Sequence, residues 1–380
     1  MEIKKNLPEV FEDFAEARKN AFMAVKAVKD QDKPVIGIYC TYFPEELAIS
    51  MGAAVVGLCS MTDETIPAAE EDLPKNLCPL IKASYGFGKT DKCPYFYFSD
   101  LVIAETTCDG KKKMYEQMSK FKPMHIIELP NCQSEDGVDF YRKQIIKMKE
   151  KLEDFFGVTI TEDDIRYGIK VKNAERAAIR KLYSIMKADP APISGMDLIN
   201  TLSAVSYNFD RTQTPAKMDE LIAKIEAEAQ PRTKKPRILV TGCPMGGATF
   251  KVVQAIEDAG ADVVFFENCT GAKAIDQDVD ESIEDVYEAL ARKYTSISCS
   301  CMTPNKGRLD LIGRAIDEYK VDGVIDMVLQ ACHTYAVETS IIDEFCTNEK
   351  NTPYMAVETD YSQSDIGQLS TRISAFVEML

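Results

Sequence analysis

Short apolar runs that close on a cysteine constrain this chain more than any other feature. "PVIGIYC" (34–40), "DLVIAETTC" (100–108), "ILVTGC" (238–243), "ADVVFFENC" (261–269) and "DGVIDMVLQAC" (322–332) have strand length, and helical patterns lie between them. "MHIIELP" (124–130) and "PYMAVETD" (353–360) add strands that end without a thiol. Strands alternating with helices predict parallel sheets covered on both faces. The expected fold class is therefore α/β, with two doubly wound Rossmann-like lobes. A chain of 380 residues also exceeds what one core usually organises. The expected divisions are an N-terminal α/β lobe with a helical arm over 1–137, a helical connector over 138–230, and a C-terminal α/β lobe over 231–380. Amphipathic stretches such as "YRKQIIKMKEKLEDFFG" mark the connector, and "AQPRTKKPR" (229–237) is the expected linker.

Cys40, Cys108, Cys243, Cys269 and Cys332 follow these strands, and Cys301 ends the less regular run "SISCSC". In open parallel sheets the crevice beyond the carboxyl ends of the strands is where ligands bind, so thiols gathered there face a cleft. The amino terminus "MEIKKNLPEVFEDF" lacks the apolar core of a signal peptide, and no run of about 18 apolar residues occurs. A cytoplasmic protein with no membrane association is expected, and in a reducing compartment twelve cysteines do not make a disulfide framework. With only two histidines beside them, soft thiolates select zinc or iron–sulfur clusters. No C-x-x-C pair is present, Cys299 and Cys301 being the closest spacing, and the ferredoxin spacings are missing. Any cluster must draw its ligands from distant strand ends. The formal charge of -16 argues against nucleic acid as a partner.

Two stretches imitate nucleotide loops. "SYGFGKTDKCP" has Ala83 where a phosphate-binding loop needs glycine, and Pro94 interrupts the helix that should follow. It is expected to be a glycine-rich turn with a solvated lysine. "ILVTGCPMGGATF" follows a strand and opens a helix, with Glu267 at the end of the next strand, but its glycines read G-x-x-x-G-G. A tight strand-to-helix turn is expected there.

The cysteine-bearing segments taken together, "GIYCTYFPEELAISMGA", "LPKNLCPLIKASYGFGKTDKCPYFYFSDLVIAETTCDGKKKMYE", "SCMTPNKGRLDLI" and "DGVIDMVLQACHTYAVE", resemble the benzoyl-CoA reductase / 2-hydroxyacyl-CoA dehydratase family, and within it the double-cubane cluster proteins. The resemblance implies a homodimer whose subunits hold iron–sulfur clusters between α/β lobes. It implies a four-iron cubane on the residues matching the family's ligands, Cys78, Cys108 and Cys332. It further implies a second cubane, joined to the first by a sulfide, for which Cys93, Cys301 and Cys59 are the expected ligands, with Cys40 and Cys269 as reserves for Cys59. Lys82, Gly86 and Gly88 are expected beside the cluster, the lysine as a hydrogen-bond donor to sulfide and the glycines through backbone amides. Electrons are expected from a separate ATP-hydrolysing iron–sulfur activator protein.

Reduction at a cluster also needs protons. His333 adjoins Cys332, while Glu45 and Glu46 open a helix just after a strand, where either carboxylate could instead complement the helix dipole. These three are the candidate proton donors, and His125 is expected to be structural. Two enzymatic readings stand open: a low-potential reductase of small molecules with a double cubane, and a dehydratase subunit with a single four-iron cubane. An electron carrier without substrate chemistry is a third.

Overall fold

The computed structural model describes residues 16–228, 232–244 and 246–380. The terminal segment "MEIKKNLPEVFEDF" and the first three residues of the expected linker lie outside the described residues.

Strands β1 (Val35–Ile38), β2 (Ala54–Gly57), β3 (Leu101–Glu105) and β4 (Met124–Ile127) form a sheet of order β2-β1-β3-β4. Strands β5 (Arg237–Gly242), β6 (Asp262–Phe266), β7 (Gly323–Leu329) and β8 (Tyr354–Thr359) form a second, of order β6-β5-β7-β8. Every pairing is parallel, so the α/β reading with two Rossmann-like lobes holds. The two sheets have the same winding. In each, the first and third strands are neighbours and the chain departs from them in opposite directions, which makes the space above that pair a topological switch point. β1, β3, β5, β6 and β7 are buried along almost their whole length, as their unbroken apolar sequences require.

β2 is an element that its sequence barely announces. It is only four residues long and follows a helix directly, so "AAVVGLC" carries little periodic signal of its own. It obeys the same rule as the others, because Cys59 comes just after its end. The opposite difference occurs at "SISCSC": after helix Val286–Thr295 the chain runs through turns, with no strand. The Met302 amide bonds the Cys299 carbonyl and the Thr303 amide reaches across to the Asn131 carbonyl, so this backbone is satisfied without a sheet neighbour.

Helices Glu135–Phe156, Glu162–Ile185, Gly195–Ser206 and Thr214–Glu228 occupy the chain between the sheets. Their starts are encoded locally. Ser134 accepts the Gly137 amide, and Thr161 with Asp164 and Ser194 with Asp197 form capping boxes. The helix Glu162–Ile185 touches both lobes: Arg176 bonds Glu46 of the first and Tyr294 of the second, while the Tyr183 hydroxyl donates to the Phe266 carbonyl. Tyr42 donates to the Ile297 carbonyl at 2.8 Å and Tyr361 to the Ser60 carbonyl at 3.0 Å, again from one lobe to the other. Among the described residues, no helix is long and apolar enough to cross a membrane.

Candidate metal centre

The strand ends place the thiols. Cys40, Cys59 and Cys108 follow β1, β2 and β3, and Cys243, Cys269 and Cys332 follow β5, β6 and β7, so corresponding strands of the two sheets carry corresponding cysteines. The segment between the second and third strands of each sheet supplies two more: Cys78 and Cys93 in the first, Cys299 and Cys301 in the second.

The thiols fall into two sets of neighbours. In one, Cys332 neighbours Cys243 and Cys78, the latter coming from the other lobe. These neighbours, with the Thr334 hydroxyl 3.9 Å away, lower the Cys332 thiol to about 3, while Cys78 and Cys243 are pushed up. Cys243 also accepts the Leu329 amide at 3.2 Å. In the other set, Cys299 neighbours Cys269 and Cys301 and is lowered well below the usual thiol range by them, whereas the two neighbours are raised.

Special backbone geometry holds the first set in place. Ala331, just before Cys332, has φ 57°, an uncommon state for a residue with a side chain and one that clusters at functional sites. Gly242, just before Cys243, has φ 106°, and a Cβ there would meet the Met327 carbonyl oxygen at 2.1 Å. Only glycine lets β5 approach β7 this closely.

Around Lys111 lies a third group of polar residues. Its ammonium donates to the Tyr39 carbonyl at 3.0 Å, as the Cys59 thiol does at 3.1 Å. Burial pushes Lys111 down, but Tyr115, Cys59, Cys40 and Cys108 outweigh it and hold it well above its ordinary value. Burial raises Cys40 to about 12 and also raises Cys59. Cys40 also feels Cys299, so this group adjoins the second set.

Five buried polar atoms without partners among the described residues sit next in sequence to these cysteines: Thr41 Oγ1, Ser60 Oγ, Thr107 Oγ1, Asn268 Oδ1 and Ser300 Oγ. Buried hydroxyls and amides normally find a partner. Their coincidence with the thiols fits a polar group held among them, and the donor set, sulfur with no imidazole at either set, fits an iron–sulfur cluster in chemical type. Cys93 stands apart: its sulfur accepts the Phe96 amide at the start of helix Pro94–Phe98, and burial raises it. Of the six expected ligands, Cys78 neighbours Cys332 and Cys301 neighbours Cys299, whereas no hydrogen bond among the described residues ties Cys59, Cys93 or Cys108 to either pair.

A family model described as 2-hydroxyglutaryl-CoA dehydratase, D-component, matches residues 40–380. The chain belongs to this family. A protein of Escherichia coli (strain K12), YjiM, provisionally named a dehydratase subunit, is 50% identical over 384 residues, covering all of both chains. The beta subunit of (R)-2-hydroxyglutaryl-CoA dehydratase from Acidaminococcus fermentans is 22% identical across 98% of this chain and 99% of its own. A benzoyl-CoA reductase polypeptide from Thauera aromatica is 20% identical, with 94% of each covered.

The remaining site candidates of this D-component chain occupy defined places. Gly86 and Gly88 belong to a continuous helix, Pro79–Lys89, rather than to a turn. Gly86 lets that helix pack on the Thr65 carbonyl, which a Cβ would meet at 2.2 Å, and Lys89 is bridged to Glu71 and Asp72 rather than solvated. Lys82 is buried and bonds Glu70 and the Lys75 carbonyl, both at 2.8 Å. Glu46 is fully buried between Arg176 at 2.6 Å and Tyr294 at 2.7 Å. Glu45 is pushed up by burial, but Lys172 and Arg211 outweigh this and hold its carboxyl down at about 2. His333 is exposed at the start of helix His333–Glu344, and burial lowers His125 on β4.

Glu105, the last residue of β3, is a functional candidate that the motifs do not single out. It is fully buried with neither carboxyl oxygen hydrogen-bonded by another side chain, and burial raises it to about 8, with Lys111 opposing. Its position inside the apolar run "DLVIAETTC" is the one signal in the sequence that could have found it. The folded protein binds this proton more tightly than the unfolded chain does, so the contribution of Glu105 to stability is full below pH ~4.5 and is lost as pH rises toward 8. Relative to Glu105→Gln, the parent is expected to lose about 2–4 kcal/mol between pH 5 and pH 8 in urea unfolding. Parallel pH profiles for the two proteins would contradict this.

Proposed function

We propose that this chain belongs to a low-potential iron–sulfur reductase, holding two four-iron cubanes joined by a sulfide and acting on small molecules. The observation that carries the proposal is the gathering of thiols at the strand ends of both lobes, with Cys78 of the first beside Cys332 of the second, next to buried hydroxyls unpartnered among the described residues. One cubane rests on Cys78, Cys108 and Cys332. For the other, Cys301 keeps its place, and its neighbours Cys299 and Cys269 are favoured over Cys59 and Cys93. Cys243, whose sulfur is already engaged by the Leu329 amide, positions Cys332.

Such a centre supplies single electrons at low potential. The protein's own groups set its surroundings. Thr41, Ser60, Thr107 and Ser300 offer hydroxyl donors where the thiols converge, Lys111 places a buried positive charge beside Cys40, Cys59 and Cys108, and Glu105 holds a proton at the end of β3. Glu105 is a better proton source than Glu45 or Glu46, which are tied into ion pairs. The chain works as a homodimer in the cytoplasm, and its electrons come from a separate ATP-hydrolysing iron–sulfur activator.

The names of the 2-hydroxyacyl-CoA dehydratase relatives favour the second reading, a dehydratase subunit with one cubane. Anaerobic purification followed by iron and sulfide analysis separates the two. About eight irons per chain are expected, about four would transfer the assignment to the dehydratase, and an iron-free protein would end both.

A further inference from the structure

Tyr335 stands between the second thiol set and a buried charged network. It lies in the first turn of helix His333–Glu344, three residues after Cys332, and is almost wholly buried. Its phenol oxygen lies 3.9 Å from the Cys269 sulfur and 3.9 Å from the Cys299 sulfur of that set. Lys273 donates to that same oxygen at 3.0 Å. The lysine therefore occupies the phenol as an acceptor and leaves its one hydrogen for sulfur.

The surroundings fix the ring. The Arg308 guanidinium stacks over it at 4.9 Å, and the Lys273 ammonium stands 5.3 Å from its centre. Lys273 is paired with Glu267 at 3.1 Å, and Arg308 is paired with Glu338, so the phenol is backed by a buried charged network. A hydroxyl polarised by an ammonium donates a stronger hydrogen bond than an isolated one.

We propose that Tyr335 is a positioning residue that sets the electronic poise of the second thiol group. This deepens the reading given above and rests on it. Donation to a ligand sulfur stabilises the more negative, reduced state and so raises the potential. The single phenol hydrogen is shared between the Cys269 and Cys299 sulfurs, both 3.9 Å from its oxygen.

The test is Tyr335→Phe, which keeps the ring, its cation contacts and the backbone amide and removes only the hydroxyl. Iron per chain, melting temperature and midpoint potentials from electron paramagnetic resonance titration are measured on the anaerobically purified dimer. The expected result is unchanged iron and one potential displaced to lower values by about tenfold in the reduction equilibrium, which for one electron is about 59 mV. Lys273→Gln, which leaves the phenol but removes the charge behind it, is expected to move the same potential in the same direction and by less. It also decides the matter should the phenylalanine variant lose iron. Unchanged potentials in both variants, with iron retained, would overturn the role given to Tyr335 and leave the cluster assignment standing. An iron-free parent would overturn both.

Discussion

Serine in place of Cys332 is expected to remove about four of about eight irons from each chain, and serine in place of Cys108 to do the same. Cys332 is the sulfur on which the first set converges, so no neighbouring thiol takes over its position. Serine is a much poorer ligand for iron than thiolate, and a cubane held on two protein ligands is lost during purification. Cys299→Ser is expected to remove the other half of the iron, because Cys299 is the corresponding centre of the second set. Two controls sharpen the result. Cys93→Ser should keep all the iron, since the Cys93 sulfur is engaged by the Phe96 amide. Cys243→Ser should keep it as well, with altered potentials. Loss of iron in Cys93→Ser, or its retention in Cys299→Ser, would return the second cubane to the ligands that the family resemblance implies.

The largest effect on stability is expected at Arg176. This side chain is 1% exposed and its partner Glu46 is 0% exposed, with Tyr294 bonded to both. Arg176→Met leaves a carboxylate in the interior without its counter-charge, at a cost of about 3–5 kcal/mol. Pairing it with Glu46→Leu removes the stranded charge and should recover most of that loss. Urea unfolding of the single and double variants measures both numbers. A single variant within about 1 kcal/mol of the parent would show that water reaches Glu46. The same experiment bears on function, because a Glu46 needed only for this ion pair can be replaced in the double variant without loss of activity.

The sequence carried the layer order of the fold because its strands are apolar on both faces, and that pattern needs no tertiary information. β2 escaped because four residues at a sheet edge give too short a run, although Cys59 marked its end. "SISCSC" misled for the opposite reason: small residues alternating with isoleucine imitate a strand, but this backbone is satisfied by turns and by the segment at Asn131. The helix through Gly86 and Gly88 was hidden by glycine's poor helix propensity, which packing against Thr65 overrides.

Legibility of the site was uneven. That thiols would gather at strand ends followed from topology. Which thiols would group around Cys301 depended on how the segment after helix Val286–Thr295 folds back, a matter of three-dimensional packing that spacing does not encode. The same holds for Lys111 and Glu105. Their side chains are ordinary in sequence and become unusual only when burial removes their water.

The matching of strand order and cysteine placement between the two sheets has a consequence for how the molecule matures. Cys78 comes from one half, and Cys243 and Cys332 come from the other, so neither half owns that ring of sulfurs. It comes into being only after both halves have folded and docked. Under the function proposed above, a cluster would therefore be inserted into the docked body and not into a nascent chain.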